Sequence, residues 1–303
     1  MVAFMVKQRL VLTCIAVFSL VISTVYGADE IKIGVLPVLD TLPLHVAKQE
    51  GYFAAEDLAV DLIPFASAME RNMALHSGQL HGFFGDIPAT LLLVKTGIPL
   101  KFLTVSYSTT PGQRMFGLLL SEQKANATGG ELTVAISKGS IIEYLLDMIQ
   151  PLPAVSSYTL NAQEIKQMPV RMQMLATGQI DAALLPEPLL TLAESKGAKL
   201  ILTDEQLNIP LTVLNLHASK SILKDRFLSA YNKAADAINQ NGPTYKNLLI
   251  KTGRIPPHLA DRFIQYKFHH SKLPTESEVN AVQIWMIQKN LLDQNIPYLK
   301  LIQ

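Results

Sequence analysis

The stretches MALHSGQLHGFFGDIPATLLLVKTGIPLKFLT (73–104) and MLATGQIDAALLPEPLLTLAESKGAKLILT (174–203) are two copies of one pattern. Laid together without a gap, Leu75 falls on Leu175, Gly78 on Gly178 and Gln79 on Gln179. Further on, Pro88 falls on Pro188, Leu92 on Leu192, Gly97 on Gly197 and Leu100 on Leu200. Upstream, the strand-like IKIGV (31–35) has a counterpart in LTVAI (132–136). A spacing this long exceeds the ~20–50 residues of solenoid repeats. It implies two similar α/β lobes with a cleft between them.

Within each copy, strand and helix patterns alternate. In the first, IKIGVLPV (31–38), VDLIPF (60–65), HGFFGDI (81–87) and LKFLTVSYS (100–108) read as strands. The spacing predicts helices over 42–58, 66–80 and 88–97, the last with Pro88 in its first turn and Gly97 past its end. In the second copy, 132–137, 158–161, 180–186 and 199–203 read as strands. Helices are expected over 140–150, 162–178 and 188–197, the middle one interrupted before Pro169. Such alternation implies βαβ units and mainly parallel sheets. GQRMFGLLLS (112–121) and IPLTVLNLHAS (209–219) each lead out of one copy, and two crossovers between lobes make a hinge. The largely helical tail forms no third copy and is expected to pack on the lobes.

The first 27 residues read as a signal peptide. Lys7 and Arg9 precede the 13-residue apolar run LVLTCIAVFSLVI (10–22), which is shorter than the ~20 residues a membrane span needs. Cleavage is expected near Gly27/Ala28. The single cysteine, Cys14, lies in that run behind Thr13, a poor context for lipidation. The mature chain therefore has no disulfide, thiolate metal site or cysteine nucleophile. Removing Lys7 and Arg9 from the 26 basic residues leaves 24 against 25 acidic, a net charge of −1. A near-neutral chain without charge blocks argues against nucleic acid and against electrostatic membrane binding.

In open parallel α/β sheets, ligands sit beyond the carboxyl ends of strands, so the repeat nominates loops in matched pairs. Residues 37–42 offer Asp40 and Thr41, and 137–141 offer Ser137, Gly139 and Ser140. Residues 85–89 offer Asp86, Ile87 and Pro88, and 185–189 offer Glu187 and Pro188. After the fourth strand come Ser106 and Tyr107. Ser140 either caps a bare helix or turns that helix's free N–H groups toward an acceptor on a ligand. Asp86 and Glu187 either accept hydrogen bonds from a ligand or complement a helix dipole. Arg114 and Lys138 are the basic residues near these loops. Tyr107 either stacks on a ligand ring or packs in the core.

Motifs of catalysis are missing: there is no GxSxG, HExxH, P-loop or GxGxxG after a strand. Adjacent His269 and His270 point apart on any regular element, which favours a surface pair over a metal site. His45 and His217, isolated among apolar residues, read as packed or hydrogen-bonded groups. No cofactor is implied.

The segments IKIGVLP (31–37), LPLHVAKQEGYFAAEDLAVDLIPF (42–65), LHSGQLHGFFGDIPATLLLVKTGIPLKFL (75–103), KGSIIEYLL (138–146) and MLATGQIDAALLPEPLLTLAESKGAKLI (174–201) together resemble exported substrate-binding proteins of ABC importers. The similarity spans roughly residues 31–220 and lies nearest the nitrate, sulfonate, taurine and thiamine-precursor binding proteins. It implies a type II periplasmic-binding fold with lobe 1 at 28–118 and 215–303 and lobe 2 at 119–214. It implies a periplasmic, non-enzymatic, monomeric receptor that closes on a small solute and hands it to an inner-membrane permease. The alternatives are an enzyme of lyase or pyrimidine-precursor-synthase type on the same fold, and a sensor module. On matching positions the pocket includes Asp86-Ile87-Pro88, Gly139-Ser140 and Glu187-Pro188. Where much of the family carries an aromatic residue, this chain has the acidic Pro186-Glu187-Pro188. Acidic residues on three loops favour a solute with hydrogen-bond donors, such as an amine or aminopyrimidine, whereas the Gly139-Ser140 helix end favours an acceptor.

Overall fold

The computed structural model describes residues 28–303, so the expected signal peptide and Cys14 lie outside the described residues. Lobe 1 begins with β1 (Asp29–Val35), α1 (Leu42–Gln49), β2 (Leu58–Pro64), α2 (Ala68–His76), β3 (Gly82–Asp86), α3 (Ile87–Lys95) and β4 (Leu100–Ser108). The chain then crosses to lobe 2 for β5 (Phe116–Leu120), β6 (Gly130–Ile136), α4 (Ile141–Ile149), β7 (Tyr158–Glu164), α5 (Met168–Ala176), β8 (Ala182–Pro186), α6 (Leu189–Glu194) and β9 (Lys199–Thr203). It returns with β10 (Pro210–His217), followed by α7 (Lys224–Asn241), α8 (Lys246–Gly253), α9 (Glu276–Gln288) and α10 (Tyr298–Ile302).

Two five-stranded sheets result, ordered β2-β1-β3-β10-β4 and β7-β6-β8-β5-β9. In each, β1 or β6 pairs in parallel with both neighbours. The one antiparallel strand is the one that has just crossed over: β10 in the first sheet and β5 in the second. The crossovers therefore occupy 109–115 and 204–209, a few residues before the expected changes at 118/119 and 214/215. Every residue of β5 is buried, so this run belongs to the sheet and not to the connection.

The central strands are buried at every position, Gly82–Asp86 and Ala182–Pro186 alike, as parallel strands covered on both faces must be. Matching glycines end matching helices. Gly78 and Gly178 follow α2 and α5 at φ 74° and 70°, and Gly97 and Gly197 follow α3 and α6 at 94° and 95°. A side chain is strained in that left-handed region, so these glycines set the same stop in both lobes.

Two helices depart most from their patterns. The expected helix over 42–58 stops at Gln49, because the turn through Gly51 (φ 73°) redirects the chain before a short 3₁₀ segment at Ala54–Glu56. The expected helix over 162–178 starts only at Met168. Residues 162–164 pair instead along the sheet edge with Val134, Ala135 and Ile136, and Pro169 is tolerated only in a helix's first turn. The tail lies mainly on lobe 1: α7 packs on α1, α9 on α3 and α10 on β4. No helix among the described residues is long and apolar enough to cross a membrane.

Candidate functional site

The carboxyl ends of both sheets meet at a cleft lined from both lobes. It adjoins a second, more open hollow lined by Met73, Lys138 and Gly139.

Two arginines define the floor. Arg71 on α2 and Arg171 on α5 are 1% and 0% exposed, and both line the cleft. Arg71 donates from Nη1 to the Phe84 carbonyl at 2.6 Å, and Arg171 donates from Nη1 to the Leu184 carbonyl at 3.2 Å. The two lobes thus tie a guanidinium to the same position of the same strand. Arg71 also donates to Asn72 Oδ1 and lies 4.5 Å from the centre of the Phe83 ring. Arg171 Nη2 donates to the Ile165 carbonyl at 2.9 Å and to Ser137 Oγ. Burial pushes both guanidinium pKa values down to about 10, which leaves them charged at neutral pH.

Of the residues nominated from sequence, Asp40, Asp86, Ser137 and Ser140 come together around this cleft, with Gly139 at its mouth. Asp40 accepts from Thr212 Oγ1 at 2.6 Å. Burial raises its pKa to about 7 against that hydrogen bond. Asp86 is the N-cap of α3 and accepts from the Ala89 N–H at 2.7 Å. Burial raises it too, opposed by that bond, by the nearby Arg71 and by the Ile141 N–H from the facing lobe. Ser140 caps α4, its Oγ accepting from the Ile142 N–H at 3.2 Å. Gly139 donates its N–H to Glu143 Oε2 at 2.7 Å.

The other nominees lie elsewhere. Thr41 donates to the Val38 carbonyl at 2.7 Å, Ile87 and Pro88 are packed in the first turn of α3, and Ser106 is buried in β4. The Tyr107 hydroxyl lies 2.6 Å from the Gln113 carbonyl and 2.9 Å from Asp204 Oδ2. Asp204 Oδ1 in turn accepts from the N–H groups of Met115 and Phe116, both at 2.8 Å. Tyr107 is therefore a strut between the crossovers. Glu187 is fully buried away from the cleft. It accepts from Arg114 Nε at 3.0 Å, the Thr191 N–H at 3.0 Å and Thr191 Oγ1 at 2.9 Å. Pro188 lines a separate hollow shared with Arg254 and Ile255.

Arg71, Lys166 and Arg171 are cleft residues that sequence reasoning passed over. A signal was present: Arg71 and Arg171 sit in the same hundred-residue register as the rest of the repeat. His45 is half-buried, and its desolvation lowers its pKa to about 4, and His270 pairs on the surface with Asp236 at 2.7 Å. Among the described residues no cluster of three or more histidine, cysteine, aspartate or glutamate side chains could hold a metal.

The lobes also touch beside the cleft. The Trp285 ring on α9 stands edge-on to Tyr144 on α4, with centroids 5.2 Å apart. Its Nε1 donates to Asp147 Oδ2 at 2.7 Å, where Lys289 also pairs at 2.7 Å.

Residues 27–240 match the model of the NMT1-like family. No curated protein matches the chain. Among solved structures, the ligand-binding component of an ABC-type import system from Staphylococcus aureus, with zinc bound, superposes with a TM-score of 0.75 at 16% identity. That match covers 91% of this chain and 96% of the other. The alkanesulfonate-binding protein of Xanthomonas axonopodis pv. citri bound to MOPS gives 0.75 at 16%, covering 91% and 98%. The periplasmic nitrate-binding protein of Synechocystis gives 0.67 at 15%, covering 88% and 82%. These likenesses establish the two-lobed periplasmic-binding-protein fold.

Proposed function

This chain belongs to the NMT1-like family, and on that footing we propose that it is an extracytoplasmic receptor that closes on a small organic or oxyanion solute and delivers it to an ABC permease. The observation that carries this reading is the interlobe cleft, lined from both sheets and holding buried charged groups. The proteins of similar fold named above as import components support it. Export rests on the basic start and apolar run of residues 7–22.

Asp40, Asp86, Ser137, Gly139 and Ser140 are the nominees that reach the solute. Opening and closing proceed about the paired crossovers. Thr109 donates its N–H to the Ile209 carbonyl at 3.0 Å and its Oγ1 accepts from the Ile209 N–H at 3.0 Å. The two strands of the hinge thus bend together. The reading is one of binding and not catalysis, in keeping with the family and the similar structures.

Calorimetric melting in the presence of a solute extract tests it. A ligand at about 100 times its Kd stabilises by about 2.7 kcal/mol. A raised Tm supports a receptor. An unchanged Tm with extract and with every solute class tried sinks the reading.

A further inference from the structure

Methionine is among the residues most often buried, since its thioether side chain is apolar. Met69 and Met73 on α2 are nevertheless 47% and 64% exposed. His76 closes the same helix and is exposed as well. The spacing is i, i+4 and i+7, which sets the three side chains in one row along a single helix face. Arg71, Ala74 and Leu75 form the face of α2 that packs on the lobe. The exposed row instead lines the open hollow beside the cleft.

The repeat shows that the shared fold does not need this row. At the matching positions of α5 stand Pro169, Gln173 and Ala176. They are exposed too, but offer neither a thioether nor an imidazole. A further contact bears on His76. Thr96 Oγ1 donates to the Leu93 carbonyl at 2.8 Å, so toward His76 Nε2, 3.5 Å away, it can only accept. That contact favours the ring proton on Nε2 and leaves the lone pair on Nδ1. Charges around the hollow balance, with Lys138 and Lys166 set against Asp86 and Glu164.

We propose that Met69, Met73 and His76 bind one soft monovalent metal ion, copper(I) in kind, at the rim of the cleft. Thioether ligands select copper(I), and imidazole suits it. All three donors are neutral, so a harder divalent ion gains no charge compensation here and finds a single good ligand. This site goes beyond the receptor reading and does not depend on it.

Anaerobic titration with copper(I), and with silver(I) as a stand-in that resists oxidation, tests this on the purified protein with methyl-labelled methionine. One ion should bind and shift the methyl resonances of Met69 and Met73. Met148, 37% exposed on α4, should not respond, and zinc(II) should leave all three signals in place. Loss of a mere outer partner of a metal ligand costs about 10- to 100-fold in affinity. Met69→Leu, Met73→Leu and His76→Gln should therefore each weaken binding by at least about 10-fold. Leucine nearly keeps the volume of methionine, and both sites are exposed, so the fold should survive. The resonances of the parent protein decide the matter if His76→Gln fails to fold. Unmoved Met69 and Met73 signals, parental affinity in the leucine variants, or zinc(II) bound as tightly as copper(I) each overturns the proposal. Any of these leaves the receptor reading intact, because solute binding tests that separately.

Discussion

The ends of β3 and β8 differ by the placement of one carboxylate. Lobe 1 reads Gly85-Asp86-Ile87-Pro88 and lobe 2 reads Leu185-Pro186-Glu187-Pro188, so the acid of the second lobe comes one residue later. In lobe 1 the acid is the N-cap of α3 and lies in the cleft beside Arg71. In lobe 2 the extra step carries it past the strand end and away from the cleft, into contact with Arg114 and Thr191. Successive side chains on a strand point to opposite sides, so one residue is enough. The difference teaches that a duplicated scaffold can keep both arginines while one residue of spacing decides whether the neighbouring acid faces the cleft or Arg114.

Removing Glu187 should have the largest effect on this comparison. Glu187→Ala leaves Arg114 with Glu194 alone among its acidic partners. It also strips the Thr191 N–H of its acceptor. Breaking a buried pair costs about 3–5 kcal/mol, less here because the Arg114 side chain is 22% exposed. We expect a loss of about 2–3 kcal/mol and a Tm lower by roughly 5–10 °C in calorimetry. A Tm within 2 °C of the parent, a margin that ~1 kcal/mol would exceed, would show that Glu187 is not the anchor described.

The pH response sharpens the same contrast. Asp40 and Glu187 both have folded-state pKa values raised to about 7, from the ordinary values of 3.8 and 4.5, chiefly by burial. A carboxyl group whose pKa is raised on folding binds its proton more tightly in the folded state. Its contribution is therefore full below the unfolded pKa and fades as pH rises through about 7. Melting temperature should rise as pH falls from 8 to 5.5. Asp40→Asn should flatten part of that slope, and a slope unchanged in this variant would clear Asp40 of the effect.

The smallest effects belong to the contact beside the cleft. Trp285 is the only tryptophan of the chain and it bridges the lobes. Intrinsic fluorescence should therefore change when solute binding alters the lobe arrangement. Lys289→Ala removes a partly exposed ion pair worth about 0–1 kcal/mol, so solute affinity should fall by no more than about fivefold. A larger loss would make this contact, and not the arginine floor, the main determinant of affinity.

Much of the fold was legible in the sequence because the repeat kept its turn chemistry. Gly78 with Gly178 and Gly97 with Gly197 mark helix ends that the backbone reproduces at nearly equal φ. Periodicity misled over 162–164, which join the sheet edge ahead of the break expected before Pro169, and at Gly51, where a left-handed turn overrode it. The site was less legible. Asp40, Asp86, Ser137 and Ser140 stand at strand ends, where topology alone brings residues to the cleft. Arg71 and Arg171 lie inside helices, a turn or more from any loop, and a charged residue mid-helix reads as solvated. Only their shared repeat position betrays them. Glu187 looked like a ligand contact because it sits in a cleft-facing loop, and pairing with Arg114 across 73 residues is invisible to local spacing.

The most direct test is a crystal structure of the protein with its co-purified or extract-derived solute. We expect that solute between the lobes, in contact with Asp40 or Asp86 from lobe 1 and with Ser137 or Ser140 from lobe 2. A solute bound outside this cleft, or held by one lobe alone, would contradict the account.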